Sequence, residues 1–247
     1  MVLTASSGAF PGLAEALRNI PVALEQRPLL RFVPPMDWGP VDEALGRLLD
    51  FESVALTSPR AAGALADRAR GGKVGPIARA EGRPSVWASG PATAAALGQV
   101  LGPVRVPEHR AADESGAAAG LARAMLEQGI AGPVLFPCGE LRRDELPTRL
   151  RHEGISVEEV VCYRTLLADE EEARRAAERA GVLIVASPSV ADLLARACPG
   201  GIRPALLAVG PTTAAAARAS GWPPARTAAE PSTEALAEAV RALVGPG

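Results

Sequence analysis

Ala55-Leu56-Thr57-Ser58-Pro59-Arg60 returns 129 residues later as Ile184-Val185-Ala186-Ser187-Pro188-Ser189. A second pair follows in the same order. Val86-Trp87-Ala88-Ser89-Gly90-Pro91-Ala92-Thr93-Ala94-Ala95 is echoed 120 residues on by Leu206-Leu207-Ala208-Val209-Gly210-Pro211-Thr212-Thr213-Ala214-Ala215. Each stretch reads as a short strand, a Ser or Gly at the N-cap, a proline at the first helical position and an alanine-rich helix. Ser115 and Ser232 extend the repetition to a third helix start. The ordered repeat predicts two similar α/β units. It also predicts several open helix N-termini in each. The first amides of a helix lack intrahelical partners, and the macrodipole adds partial positive charge there. Such a start beside a parallel sheet can hold a carboxylate or phosphate. Any one of them is also an ordinary helix start; four in ordered pairs point to a polyanionic small molecule.

Strands and helices alternate along the whole chain, the pattern of a mainly parallel sheet covered on both faces. Helices are expected over Pro11 to Arg18, Val41 to Leu49, Pro59 to Arg70, Pro91 to Val100 and Ser115 to Glu127, then from Asp144, Asp169, Pro188, Pro211 and Ser232. Between them, strands are expected at Val2 to Thr4, Leu29 to Val33, Ser53 to Thr57, Ser85 to Ala88, Val104 to Val106 and Pro133 to Pro137. Further strands follow at Val157 to Tyr163, Val182 to Ala186, Ala205 to Val209 and Arg226 to Thr227. Pro34-Pro35-Met36-Asp37-Trp38-Gly39-Pro40 interrupts regular structure and reads as a linker. The last third lacks the opening strand-helix-strand segment of its unit, which the first 35 residues supply. A discontinuous domain, 1–35 with 168–247, is therefore expected, with a second domain, 40–163, inserted into it. The crossings at 36–39 and 164–167 would form a two-stranded hinge permitting relative motion.

The 247 residues suffice for two such domains, each with its own core. Net charge is −2 with both signs mixed along the chain, so no basic footprint for nucleic acid or an anionic membrane is present. Met1-Val2-Leu3-Thr4 does not open a basic segment followed by an apolar core, and no run of about 18 apolar residues occurs. A soluble, cytoplasmic protein is the expectation. Cys138, Cys162 and Cys198 form no C-x-x-C pair, and His109 and His152 stand in unrelated contexts. A disulfide framework, a zinc site or a Ser-His pair is not expected. The chain also lacks a G-x-G-x-x-G turn after a strand, a P-loop around Gly72-Lys73-Val74, a G-x-S-x-G elbow and an H-E-x-x-H helix. No cofactor is implied.

What remains is Phe136-Pro137-Cys138-Gly139-Glu140-Leu141-Arg142-Arg143, the Cys162-Tyr163-Arg164-Thr165 run, the duplicated turns, and Glu230-Pro231-Ser232-Thr233-Glu234-Ala235-Leu236. In order and spacing these segments resemble the uroporphyrinogen-III synthase family over almost the whole chain. The resemblance implies two flavodoxin-like parallel-sheet domains, one discontinuous, with the active site in a cleft. It implies a lyase that cyclises hydroxymethylbilane, a linear tetrapyrrole with eight carboxylates, to uroporphyrinogen III in haem and related biosynthesis. Loss of the ring A hydroxyl would give an azafulvene, and ring D would be inverted through a spiro intermediate. Backbone amides at helix starts suit an octa-anion without requiring a cationic surface. Because the unassisted cation closes to the wrong isomer, such an enzyme works mainly by choosing a conformer.

Tyr163 is the candidate to assist hydroxyl departure, since a phenol donates a hydrogen bond while uncharged; the competing reading is a packed tyrosine bonded to backbone. Thr93 is the second catalytic candidate by resemblance, and is equally readable as a first-turn helix hydroxyl. Ser58, Arg60, Gly90, Gly139, Ser187, Ser189, Gly210, Thr212 and Thr213 are assigned to substrate carboxylates. Arg60 suits a charge-assisted pair or a solvated first turn. Cys138 reads as a small packed residue, and Arg142 and Arg143 as surface helix. Thr4-Ala5-Ser6-Ser7 stands where many bacterial members carry Arg-Pro, a departure from the pattern. A monomer is expected, with hydroxymethylbilane and uroporphyrinogen III as the binding partners and no metal. The alternative is a two-lobed small-anion binding or regulatory module on the same fold without catalysis.

Overall fold

In the computed structural model, residues 1–73, 82–98, 100–108, 116–200 and 203–245 are described. The helix start expected at Ser115, His109, and Val74 of the stretch considered for a P-loop lie outside them. Two compact units result, Met1–Phe32 with Leu166–Gly247 and Val33–Thr165. Strands and helices are numbered along the chain.

The first unit holds a sheet of β1 (Val2–Leu3), β2 (Glu25–Gln26), β9 (Val182–Val185), β10 (Ala205–Ala208) and β11 (Arg226–Thr227). Its order is β11-β10-β9-β1-β2, with every pairing parallel. From β2 across, this is the 2-1-3-4-5 order of a flavodoxin-like sheet, reversing direction between β1 and β9. Side chains alternate across β9. Leu183 and Val185 pack with α7 (Glu170–Glu178), α8 (Pro188–Ala197) and α9 (Pro211–Ala219), while Ile184 faces α1 (Leu13–Ala16) and α10 (Thr233–Val244). The period of two thus builds two cores from one strand.

A second sheet holds β3 (Leu30–Val33), β4 (Ser53–Leu56), β5 (Ser85–Ala88), β6 (Val104–Arg105), β7 (Val134–Gly139) and β8 (Val157–Leu167) in the order β3-β8-β7-β4-β5-β6; all of it belongs to the second unit except Leu30–Phe32 of β3 and the last two residues of β8, which fall in the first. From β8 to β6 the pairings are parallel. This is the same 2-1-3-4-5 order with β7 and β8 standing where β1 and β2 stand in the first sheet. Only the place where the chain enters differs, which is why the sequence repeat begins at β4 and β9. Val54 and Leu56 pack with α2 (Gly39–Gly46), α3 (Pro59–Arg68) and α4 (Pro91–Leu97), and Ala55 faces α5 (Gly116–Glu127) and α6 (Glu145–His152).

Several boundaries differ from the sequence reading. The first helix shrinks to Leu13–Ala16 because Gly12, at φ 79°, lies in the left-handed region just before it. The Glu25–Gln26 strand has no apolar run to announce it and exists through its pairing with β1. A helix begins at Gly39, inside the stretch read as free of regular structure; residues 36–39 lie in the second unit. β7 continues through Gly139, and β8 runs unbroken to Leu167. Arg142 and Arg143 precede α6 rather than lying on it, and Arg142 pairs with Glu159 of β8 and with Asp144.

Candidate functional site

Parallel neighbours end at the same edge, so the helices that follow them start side by side. In the second unit α3 leaves β4 through Ser58-Pro59 and α4 leaves the adjacent β5 through Gly90-Pro91. In the first unit α8 leaves β9 through Ser187-Pro188 and α9 leaves the adjacent β10 through Gly210-Pro211. Each unit thereby presents a pair of proline-led helix starts at the carboxyl edge of its sheet, where open α/β sheets bind ligands. Ser187, Gly90 and Gly210 make no side-chain cap hydrogen bond to their helices. Ser58 does cap its helix, accepting from the Ala61 N–H at a long 3.4 Å.

Four of the expected residues come together in the second unit. The Ser58 Oγ lies 3.4 Å from the Tyr163 hydroxyl. Gly139, next to Tyr163 in the β7–β8 register, has the phenol directly over its Cα: a Cβ there would sit 2.5 Å from the ring Cζ. Arg60, exposed at the first turn of α3, has its pKa lowered by partial desolvation, against a pull in the other direction from the Tyr163 phenol. It keeps its charge at any working pH, so a cation stands near the hydroxyl. Tyr163 itself is half-buried against the core beneath α2, α3 and α4.

The geometry of Tyr163 depends on an irregularity in β8. The register runs Cys138 to Val161 and then Gly139 to Tyr163, leaving Cys162 as an extra residue. Val160 and Cys162 both face the α3 side. Strict alternation would send Tyr163 to the other side; the bulge turns it back onto the same face, toward Ser58. The Glu140 N–H donates to the Tyr163 carbonyl at 3.0 Å and holds the strand end in place.

Thr93 belongs to the same edge but is buried, at 3% exposure, in the first turn of α4, and its own N–H donates to the Gly90 carbonyl. Gly90 has extended backbone. In the first unit the Ser187 and Ser189 hydroxyls are 2.8 Å apart, Gly210 is buried at φ 91°, Thr213 is buried and Thr212 is exposed. These five residues share the carboxyl edge of their own sheet, as Ser58, Arg60, Gly90, Thr93, Gly139 and Tyr163 share that of theirs. Thr4, in the position of the family's Arg-Pro, is buried and its hydroxyl donates to the Ile184 carbonyl at 2.8 Å. It is a structural residue joining β1 to β9.

Cys138 is buried, and burial, with Glu159 adding to it, pushes its thiol up to about 11. Cys162 is pushed up to about 12, again chiefly by burial. Neither offers a thiolate near neutrality. Among the described residues no group of three or more His, Cys, Asp or Glu could hold a metal ion. Among them, too, no helix is long and apolar enough to cross a membrane. What sequence reasoning missed is the β8 bulge and the seat beneath the phenol. A bulge is set by the pairing of two strands and leaves no local motif.

The family model described as uroporphyrinogen-III synthase HemD matches residues 12–238. A uroporphyrinogen-III synthase of Synechococcus elongatus is 27% identical over 170 residues, 67% of this chain, and the chain spans about 60% of that relative's length. The fold is similar to the crystal structure of uroporphyrinogen-III synthetase from Helicobacter pylori 26695. There the TM-score is 0.64 at 19% identity, covering 98% of each chain. It is also similar to a mutant uroporphyrinogen III synthase from the extremely thermophilic bacterium Thermus thermophilus, with a TM-score of 0.59 at 18% identity over 98% of this chain and 95% of that one. With the family model matched over most of its length, this α/β chain belongs to the uroporphyrinogen-III synthase family.

Proposed function

We infer that the protein cyclises hydroxymethylbilane to uroporphyrinogen III, a lyase reaction releasing one water. The observation that carries this reading is the gathering of Ser58, Arg60, Gly139 and Tyr163 at one sheet edge. The Tyr163 hydroxyl hydrogen-bonds the departing ring A oxygen and passes it a proton, so that water leaves; the Arg60 charge favours the phenolate left behind, which takes up the proton released when the pyrrole is restored. The substituted carbon of ring D then attacks the resulting azafulvene to give the spiro intermediate. Fragmentation and reclosure leave ring D inverted, and loss of a proton restores the pyrrole.

The chemistry asks little acid or base of the protein; the demand is for a substrate conformer that closes through the substituted carbon. That demand falls on the helix starts. Amides and hydroxyls at Ser58, Gly90, Ser187, Ser189, Gly210, Thr212 and Thr213, with the Arg60 guanidinium, bind acetate and propionate groups, and Thr93 orients the substrate beside Tyr163. The two units act as separate domains, 1–35 with 168–247 and 40–163, with 36–39 and 164–167 as the hinge. The enzyme works as a monomer in the cytoplasm. Incubation of the purified chain with freshly prepared hydroxymethylbilane tests the reading. Type III uroporphyrinogen in excess over type I on chromatography supports it, and type I alone refutes it.

A further inference from the structure

We propose that Gly139 is a positioning residue whose missing side chain is the seat of the Tyr163 phenol, a role that rests on the reading of Tyr163 as the group assisting hydroxyl departure. A Cβ at position 139 would lie 2.5 Å from Cζ, 2.7 Å from Oη and 2.8 Å from Cε2 of Tyr163. All three are shorter than non-bonded C···C or C···O contacts, so any side chain at 139 displaces the phenol.

Among the glycines assigned to the candidate site, the requirement holds at Gly139 alone. A Cβ built on Gly90 or Gly210 meets nothing within 4 Å. Nor does the backbone demand glycine at 139, which is absent from the glycines with positive φ. The remaining reason for glycine is the space it leaves. Three features of the strand pair use that space together. The bulge at Cys138/Gly139 turns Tyr163 onto the α3 face, the Glu140 N–H fixes the Tyr163 carbonyl, and the notch lets the ring lie against Gly139 with its hydroxyl at Ser58. Gly139 therefore acts through Tyr163.

Tyr163 is the single tyrosine of the chain, so ring-labelled tyrosine gives one set of signals in the intact protein. The test combines those signals with kinetics of Gly139→Ala, Tyr163→Phe and the double variant. Wild type should show contacts between the Gly139 Hα protons and the tyrosine ring in nuclear Overhauser spectra, and Gly139→Ala should shift the ring signals. It should lower kcat about tenfold, the order expected when one hydrogen-bonding group is misplaced, with KM nearly unchanged. The double variant should turn over no more slowly than Tyr163→Phe alone. Tyr163→Leu lacks the three colliding atoms, so it should restore the melting temperature that Gly139→Ala loses and keep the seat testable if that variant folds poorly. Absence of the Gly139 contacts overturns the proposal, as does a Gly139→Ala variant with raised KM and intact kcat, or losses that add independently in the double variant. A wild-type chain that makes no type III product would instead sink the functional reading, while the ring contacts and melting temperatures still decide whether Gly139 seats Tyr163.

Discussion

Tyr163→Phe separates the hydroxyl from everything else the side chain does. The ring keeps Cζ and Cε2 against Gly139 and its packing against the core under α3, and only Oη is lost. Its 3.4 Å contact to Ser58 is long and the residue is half-buried, so unfolding stability should fall by less than about 1 kcal/mol. Turnover is a different matter. If Oη bonds the leaving oxygen in the transition state, kcat should fall about tenfold to a hundredfold, equivalent to about 1.4–2.7 kcal/mol of barrier. KM should change little, because the carboxylate contacts remain. Quenched-flow measurement of type III formation from hydroxymethylbilane gives both constants, and spontaneous closure should raise the share of type I in the product. A variant that loses kcat/KM wholly through KM would make Tyr163 a binding residue, and one indistinguishable from wild type would make it structural.

Three further outcomes follow from the geometry. The side-chain caps at Asp169, Ser232 and Ser58 accept from Glu172, Ala235 and Ala61 at 2.7, 3.1 and 3.4 Å, so alanine substitution should cost most at Asp169 and least at Ser58, within about 0.5–2 kcal/mol in urea denaturation. Glu159 is held below its ordinary value of 4.5, first by the Arg142 hydrogen bond and then by Arg151, with desolvation opposing. Its folded pKa lies below its unfolded one, so its contribution, about 1 kcal/mol or less, is present above pH 4.5 and lost as pH falls through the folded value. Glu159→Gln should flatten that part of the stability profile. Cys138 and Cys162, with thiols at about 11 and about 12, should alkylate far more slowly at pH 8 in the native chain than in urea, as mass spectrometry after iodoacetamide would record.

The duplicated turns were readable because each couples three local signals: a β-rich run, a capping Ser or Gly and a proline whose missing N–H suits only the first helical turn. Their order also pointed to residues 1–35 as the missing opening of the last third; that Val2 and Val134 start equivalent strands emerges only from the sheet orders. Elements set by tertiary pairing were not readable. Glu25–Gln26 is a strand because β1 lies beside it, and the extension of β8 past Tyr163 carries no change of residue type to mark it. The candidate site divides the same way. Ser58 could be named from its place after β4 and Tyr163 from the end of the expected strand Val157 to Tyr163, but not the 3.4 Å approach between their hydroxyls, which needs an extra residue in β8 and none beyond Cα at Gly139.

The amides at the proline-led helix starts give the most direct test of carboxylate binding. Uroporphyrinogen III, kept reduced under anaerobic conditions, would be titrated into nitrogen-15-labelled protein. The Arg60, Ala92, Ser189 and Thr212 amides should shift together, while Glu172 and Ala235, whose N–H groups already donate to Asp169 and Ser232, should stay in place. Shifts confined to those two capped helices, or none at the four proline-led starts, would contradict binding by the exposed main chain.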